Sequence, residues 1–391
     1  MRSKKVMVVF GTRPETIKLA PVLQALRAKR PMLEEIAVIS GQHTALLHPF
    51  VQFFGISVQH NLAVMVPQQT PAQVCSRVLR LLEPVLAQEK PDLLLVQGDT
   101  TTALASALAA FYLRVPVGHV EAGLRTLDPC SPYPEEMHRR LITRLASYHF
   151  AATAWNRETL LGEGVSEENI FVTGNPVVDA VQCIVRNGEV ATETQQLLAA
   201  TSDMKRIVLT THRRESFGDT LAGNLYVLRR FVALHADVCL LFPVHPNPHV
   251  TRQAHEILAG QARIHLLAPL GYPDFIRLLA EAWLIVSDSG GVQEEAPTLG
   301  RPVLVIRETT ERPEAITAGV ARLVHGGPTH LAQLLDEAYR DGSWIQQVRA
   351  VRNPFGEGDS GERIASAIEH ILWKGCTDEP SSGGCSRGSL I

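Results

Sequence analysis

The chain has 391 residues, 45% hydrophobic and 20% charged, which describes a soluble globular protein too long for one ordinary core and long enough for two domains. A formal charge of −3 and the lack of a dense Lys/Arg block argue against a nucleic-acid partner, and no apolar stretch is long enough to span a bilayer. The six cysteines (Cys75, Cys130, Cys183, Cys239, Cys376 and Cys385) include no C-x-x-C pair, so free thiols are expected rather than a disulfide framework or a metal cluster.

The chain starts basic, but its first apolar run, 6–10, is shorter than a signal-peptide core and reads as a strand. Cytoplasm is the expected address. Strand-like and helix-like runs then alternate throughout, which predicts doubly wound α/β layers. In the first half, strands are predicted at 6–10, 36–40, 93–97, 117–120 and 149–152, with helices near 15–29, 70–88, 101–111 and 135–147. In the second half, strands are predicted at 207–211, 239–242, 264–268, 284–287 and 302–306, with helices near 220–235, 248–258, 273–282 and 291–299. Two halves of like rhythm predict two Rossmann-like domains facing a central cleft. The join is expected around 177–204, where polar residues interrupt the rhythm, giving domains at 1–176 and 177–361. A helix at 362–373 is expected to pack back onto the first domain, and 374–391, rich in Gly, Ser and charge, to be disordered.

In such folds the carboxyl ends of the strands open onto one crevice, and the informative residues cluster there. In SDSGGVQEEAP (287–297) a strand ends at Ser287–Asp288, and Gly290 and Gly291 open a helix whose amides and partial positive charge suit a phosphate. Ser289 adds a hydroxyl donor, and Glu294 and Glu295, a turn later, suit a ribose diol. A capped strand–turn–helix explains the same residues without a ligand, but two glycines exceed what capping needs. GTRPETIK (11–18) supplies cations, with Arg13 on the loop and Lys18 one turn into the helix. It is not G-x-G-x-x-G, so the dinucleotide fingerprint is missing. His212, Arg213 and Arg214 follow another strand, and His245 follows the next as a weaker candidate. Asp99, Glu121 and Glu135 fall on the rim of the first domain. Alone, Asp99 reads as an N-cap and Glu135 as a dipole partner, but the convergence of all three beside a phosphate end suits proton transfer.

Taken in order, GTRPETIK, GDTTT, GHVEAGLRT, SPYPEEMHR, THRRE, SDSGGVQEEAP, TTERPEA and NPFGEGD make residues 1–373 resemble the non-hydrolysing UDP-N-acetylglucosamine 2-epimerases. The hydrolysing relatives differ at the first motif, where this chain has Pro14–Glu15. The resemblance implies the two-Rossmann architecture shared with GT-B glycosyltransferases, a cytoplasmic homodimer, a UDP-sugar substrate and no cofactor or metal. It maps the catalytic acids to Asp99, Glu121 and Glu135, and the active-site histidine to His212. It maps nucleotide contacts to Arg13, Lys18, Ser289, Gly290, Gly291 and Glu295, with Arg312 and His245 as further contacts. A second, activating substrate site would involve Gln42 and His43, but Gln68 stands where its arginine is usual and Ala45 where a glutamine is. Gln97 replaces a frequent histidine before GDTTT. The competing expectations are a 2-epimerase of a related UDP-2,3-diacetamido sugar and a GT-B glycosyltransferase.

Overall fold

A computed structural model describes residues 2–41, 44–66, 68–126, 128–211 and 218–373. Strands β1 (Lys4–Phe10), β2 (Leu33–Ile39), β3 (Val58–Asn61), β4 (Leu93–Gln97), β5 (Val117–Ala122), β6 (Tyr148–Ala151) and β7 (Ile170–Val172) form one parallel sheet in the order 3-2-1-4-5-6-7. A second parallel sheet holds β8 (Lys205–Thr210), β9 (Val238–Pro243), β10 (Ile264–Leu267), β11 (Leu284–Ser287), β12 (Val303–Val305) and β13 (Ala321–Leu323), in the order 10-9-8-11-12-13. The fold is therefore the expected pair of Rossmann-like lobes.

Helices α1 (Arg13–Ala28), α2 (Thr44–Phe53), α3 (Pro71–Glu89), α4 (Thr101–Tyr112), α5 (Glu135–Leu145) and α6 (Ala154–Gly162) serve the first sheet. The stretch expected as the join is helical, as α7 (Pro176–Asn187) and α8 (Thr192–Ala200). The second sheet carries α9 (Asp219–Leu234), α10 (Pro248–Leu258), α11 (Tyr272–Ala280), α12 (Gly290–Thr298), α13 (Pro313–Thr317), α14 (Pro328–Arg340) and α15 (Ser343–Val348), and α16 (Ser360–Trp373) follows. Helices cover both faces of each sheet, so the central strands are buried along most of their length. Val6 to Phe10 are all fully buried.

Chain order places the site. In the first sheet the chain moves outward from β1 to β2 and β3, then returns to lay β4 on the other side of β1. The second sheet repeats this with β8 and β11. A parallel sheet leaves a crevice at such a reversal, at the carboxyl ends of its strands. GTRPET, GDTTT, THRRES and SDSGG follow β1, β4, β8 and β11 in turn.

Helix α7 joins the lobes. It packs on α1 in the first and on α11 and α12 in the second. Its buried stripe, Val177, Val178, Val181 and Ile184, belongs to a core cluster that also contains Phe10 and Leu19 of the first lobe and Ile276 and Ile285 of the second. The chain returns across this junction to α16, which lies on α1 and α7. Asp179 receives the Ser360 and Gly361 amides at 3.2 and 2.9 Å, capping α16 from a neighbouring helix. No described helix is long and apolar enough to cross a membrane.

Candidate active site

Glu121 is the centre of the arrangement. It is the penultimate residue of β5, with φ +65°, where the β5–β6 register shifts between Val120 and Ala122. A non-glycine residue reaches this region only when its surroundings hold it there. Here the carboxylate is bound from several sides. Lys18 pairs with Oε1, the Gln97 carboxamide donates to Oε2, and Asn175 Nδ2 donates to Oε1 at 3.0 Å. Burial pushes the Glu121 carboxyl up, but the Lys18 and Arg312 charges and the Lys18 hydrogen bond outweigh it, leaving its pKa below the usual carboxylate value. It is an anion at neutral pH.

The second lobe closes on the same lysine. Lys18 Nζ lies 2.8 Å from Glu294 Oε2, while Arg312 Nε donates to Glu294 Oε1 at 2.8 Å. Burial alone would lower the Lys18 ammonium, but Glu121 and Glu294 raise it above an ordinary lysine despite Arg312. Burial likewise works against the Arg312 guanidinium, and Glu294, Glu311 and Glu121 more than restore it. Two carboxylates and two cations thus alternate from β5 through α1 to α12 and the start of α13. Charges this deep persist only when paired.

The α12 terminus has two uses for its glycines. A Cβ on Gly290 would sit 2.7 Å from Arg312 Nη1, so glycine admits the guanidinium against the helix start. The first amides of α12 have no partner within the helix, which leaves a donor set and a positive dipole end for an anion. Ser289 Oγ caps the Val292 amide at a long 3.5 Å. Thr211 Oγ1 donates to the buried Asp288 at 2.8 Å, tying the ends of β8 and β11 together. Next to Glu294, Glu295 points elsewhere and accepts the Tyr272 hydroxyl at 2.6 Å. Burial raises its pKa; Tyr272 lowers it, Glu294 raises it, and Arg13 and Lys18 lower it. Arg13 itself is exposed.

The remaining first-lobe acids have distinct settings. Asp99 follows Gly98 and is gripped by Arg139, whose Nε and Nη2 lie 2.8 and 2.7 Å from Oδ2. His138 Nδ1 donates to the Asp99 carbonyl at 2.8 Å. His119, buried and held neutral with a pKa pushed down to about 4 by burial, donates from Nε2 to the Gly98 carbonyl at 2.8 Å. Glu136 is structural, holding the Thr126 amide, Arg139 and Arg140 at 3.1, 3.2 and 2.9 Å. Its neighbour Glu135 is half-buried, and its carboxylate makes no hydrogen bond or ion pair with any described residue. Glu15 caps its own loop, accepting the Gly11 and Thr12 amides at 2.9 and 2.7 Å and the Thr100 hydroxyl at 2.6 Å.

Of the residues expected from sequence, Lys18, Glu121 and Arg312 meet directly, joined by Glu294. Asp99 acts on Glu121 through its charge. Gly290 lies under Arg312, while Ser289, Gly291 and Glu295 belong to the same helix start. His245 is exposed after β9, its Nδ1 accepting the Asn247 amide at 3.2 Å. His212, Gln42 and His43 lie outside the described residues. Sequence reasoning did not single out Gln97 as a partner of Glu121, nor Asn175, Arg139 and Tyr272. Asn175 precedes Pro176 and reads as a helix cap, which it is: its Oδ1 accepts the Val177 amide at 3.1 Å while its Nδ2 holds Glu121. Arg139, three residues beyond Glu136 and paired with it at 3.2 Å, shares that helix face, but its grip on Asp99 had no sequence signal.

The sequence pattern of the family described as UDP-N-acetylglucosamine 2-epimerase matches residues 24–369. A protein of that name from Escherichia coli O157:H7 is 44% identical over 372 residues, 94% of this chain and 98% of its own. One from Bacillus subtilis is 40% identical over 373 residues, 95% of this chain and 96% of its own. The crystal structure of the Neisseria meningitidis UDP-GlcNAc 2-epimerase bound to UDP-GlcNAc superposes with a TM-score of 0.87 at 36% identity, covering 93% of this chain and 99% of that one. Matches of this extent place the chain in the UDP-N-acetylglucosamine 2-epimerase family.

Proposed function

We propose that the protein interconverts UDP-N-acetylglucosamine and UDP-N-acetylmannosamine by eliminating UDP and adding it back. One observation carries the reading: a buried carboxylate, Glu121, is kept ionised beside Lys18 and Arg312, where α12 and the start of α13 of the second lobe meet the first. Relatives of this length and identity named for the reaction, one of them with UDP-GlcNAc bound, support the substrate.

The C2 hydrogen of a sugar is too weakly acidic for a carboxylate to remove unaided. Cleavage of the C1–O bond supplies the missing drive, since the electron pair leaves with UDP and positive charge builds beside C2. Arg13, Arg312, Ser289 and the Gly290–Gly291 helix start stabilise the departing diphosphate, with His212 joining them by family resemblance. Glu295 suits the ribose diol. A carboxylate then takes the C2 proton, giving a 2-acetamidoglucal. Return of a proton to C2 from the opposite face, with UDP re-adding at C1, yields the manno epimer. Asp99, Glu121 and Glu135 supply acids for both faces, and closure of the lobes retains the glycal and excludes water. Every step balances without nicotinamide or metal.

A cytoplasmic homodimer supplying polysaccharide biosynthesis is the setting we infer. For the dimer, the support is apolar surface on two neighbouring helices, with Phe111 and Tyr112 of α4, Leu113 just beyond, and Leu141 of α5 all exposed. The activity test is incubation with UDP-N-acetylglucosamine alone, followed by anomeric proton NMR. New manno anomeric signals that stop short of full conversion are expected. Free N-acetylmannosamine, or turnover only with an added sugar acceptor, would replace this reading with hydrolysis or glycosyl transfer.

A further inference from the structure

A cavity of about 530 Å³ opens at the C-terminal end of α12, away from the Gly290 end that faces Glu121. Its walls come from α7, from the turn after α12, and from the segment that returns the chain to α16. Three arginines line it: Arg301, Arg349 and Arg352. The lining contains one carboxylate, Glu357, which is already engaged, its Oε1 lying 2.6 Å from both Nε and Nη2 of Arg352.

Among the described residues, the other two guanidinium groups have no directly bonded counter-charge. Neither Arg301 nor Arg349 forms a side-chain hydrogen bond or an ion pair with any described residue, and Arg301 Nε is buried without a partner. Burial pushes the Arg301 pKa down, Arg349 and Arg206 push it further, and Glu281 offsets only part. Placing like charges together in a partly desolvated cavity is unfavourable unless something neutralises them. Helix capping does not account for them. The Leu299 and Arg301 amides both bond the Ala296 carbonyl at 3.0 Å, and the Gly300 amide bonds that of Pro297 at 3.1 Å. Nor does overall charge, since the chain is net −3.

We propose that this cavity is a second anion site, taking a small phosphate-bearing molecule through Arg301 and Arg349. Guanidinium forks match phosphate oxygens in paired hydrogen bonds, and the volume suits a small ligand. The site also shares a wall with the lobe junction. Asn353 and Gly356 line it, and between them Phe355 accepts the Asn175 amide at 2.7 Å, the same Asn175 whose carboxamide holds Glu121.

The test uses the full chain saturated with UDP, so that the interlobe cleft is filled; UDP binding is measured first by itself, which separates failure there from failure here. Inorganic phosphate and inorganic pyrophosphate are then titrated separately by calorimetry at constant ionic strength. Saturable binding of either, at one site per chain, is expected, the tighter probe distinguishing a monophosphate from a diphosphate ligand. Arg301→Gln and Arg349→Gln should each weaken it about tenfold or more, the loss of a charged hydrogen bond, with UDP affinity unchanged. Arg352→Gln should weaken it less than about threefold, because that side chain is already paired. Arg349 is exposed, so its variant reports even if Arg301→Gln does not fold. Absence of saturable binding by both probes, or undiminished affinity in both the Arg301 and Arg349 variants, would overturn the proposal.

Discussion

Glu121 and Glu295 are two buried carboxylates on facing lobes, and their surroundings treat them in opposite ways. Glu121 has Lys18, the Gln97 and Asn175 amides, and the Arg312 charge, so its pKa lies below the usual value. Glu295 has a neutral phenol as its hydrogen-bond partner and an acidic neighbour, so burial wins and its pKa lies above. Burial therefore does not by itself decide a carboxylate's state; the number and sign of its partners do. One lobe holds a carboxylate that stays ionised at neutral pH. The other holds a carboxyl whose charge burial makes costly.

The first way to break this comparison is Glu121→Gln, which keeps the shape and removes the charge. Turnover followed by anomeric proton NMR should fall about 10²–10⁴-fold, and a rate within a factor of two of wild type would reduce Glu121 to a structural role. Next is Lys18→Met, which leaves Glu121 and Glu294 buried without their shared cation. Denaturant unfolding should show a loss of about 3–5 kcal/mol. Lys29→Met, at the more exposed pair with Glu369, should cost under about 1 kcal/mol.

Thermal melts at two pH values sharpen the contrast. A depressed folded pKa gives Glu121 a stabilising contribution that is present above the unfolded carboxyl pKa of 4.5 and is lost as pH falls through the folded value. A raised pKa gives Glu295 the reverse, a cost that grows as pH climbs through 4.5 towards its folded value. At pH 7, Glu121→Gln should lower Tm by a few degrees while Glu295→Gln should leave it unchanged or raise it. Both differences should shrink near pH 4. Equal losses for the two variants at pH 7 would erase the distinction. Another small effect is Tyr272→Phe, about 0.5–1.5 kcal/mol in stability, with the Glu295 carboxyl moving further up because the phenol lowers it. A 13C NMR titration of the side-chain carboxyls reports that direction.

Much of this was legible because the central strands announce themselves. β1, β4, β8 and β11 each contain an apolar stretch (6–10, 93–96, 207–209 and 284–286), and each is followed in sequence by residues expected at the site, so chain order alone put those residues at the carboxyl ends of the strands. Short or polar elements escaped: Val-Gln-His-Asn of β3, Ile-Phe-Val of β7 and Ala-Arg-Leu of β13 draw their order from a neighbouring strand rather than from a pattern of their own. β2 begins earlier than expected because Glu35 is buried, paired with Arg27 and Arg30 at 2.9 and 3.0 Å. α7 and α8 sat in a segment whose polarity suggested a linker, yet α7 carries the apolar stripe that joins the lobes. Within the site, Glu121 was visible as an acid at a strand end. Its partnership with Asn175 was not, since Asn before Pro reads as a cap, nor was the Lys18–Glu294 pair, which exists only because the lobes close.

Turnover of UDP-N-acetylglucosamine in D2O tests the central claim most directly, with C2 read by proton NMR and mass spectrometry in both epimers. Removal and return of a proton at C2 predicts deuterium there in the product and in recovered substrate, with incorporation in both falling alongside turnover in Glu121→Gln. Product retaining the original hydrogen at C2 would contradict the account.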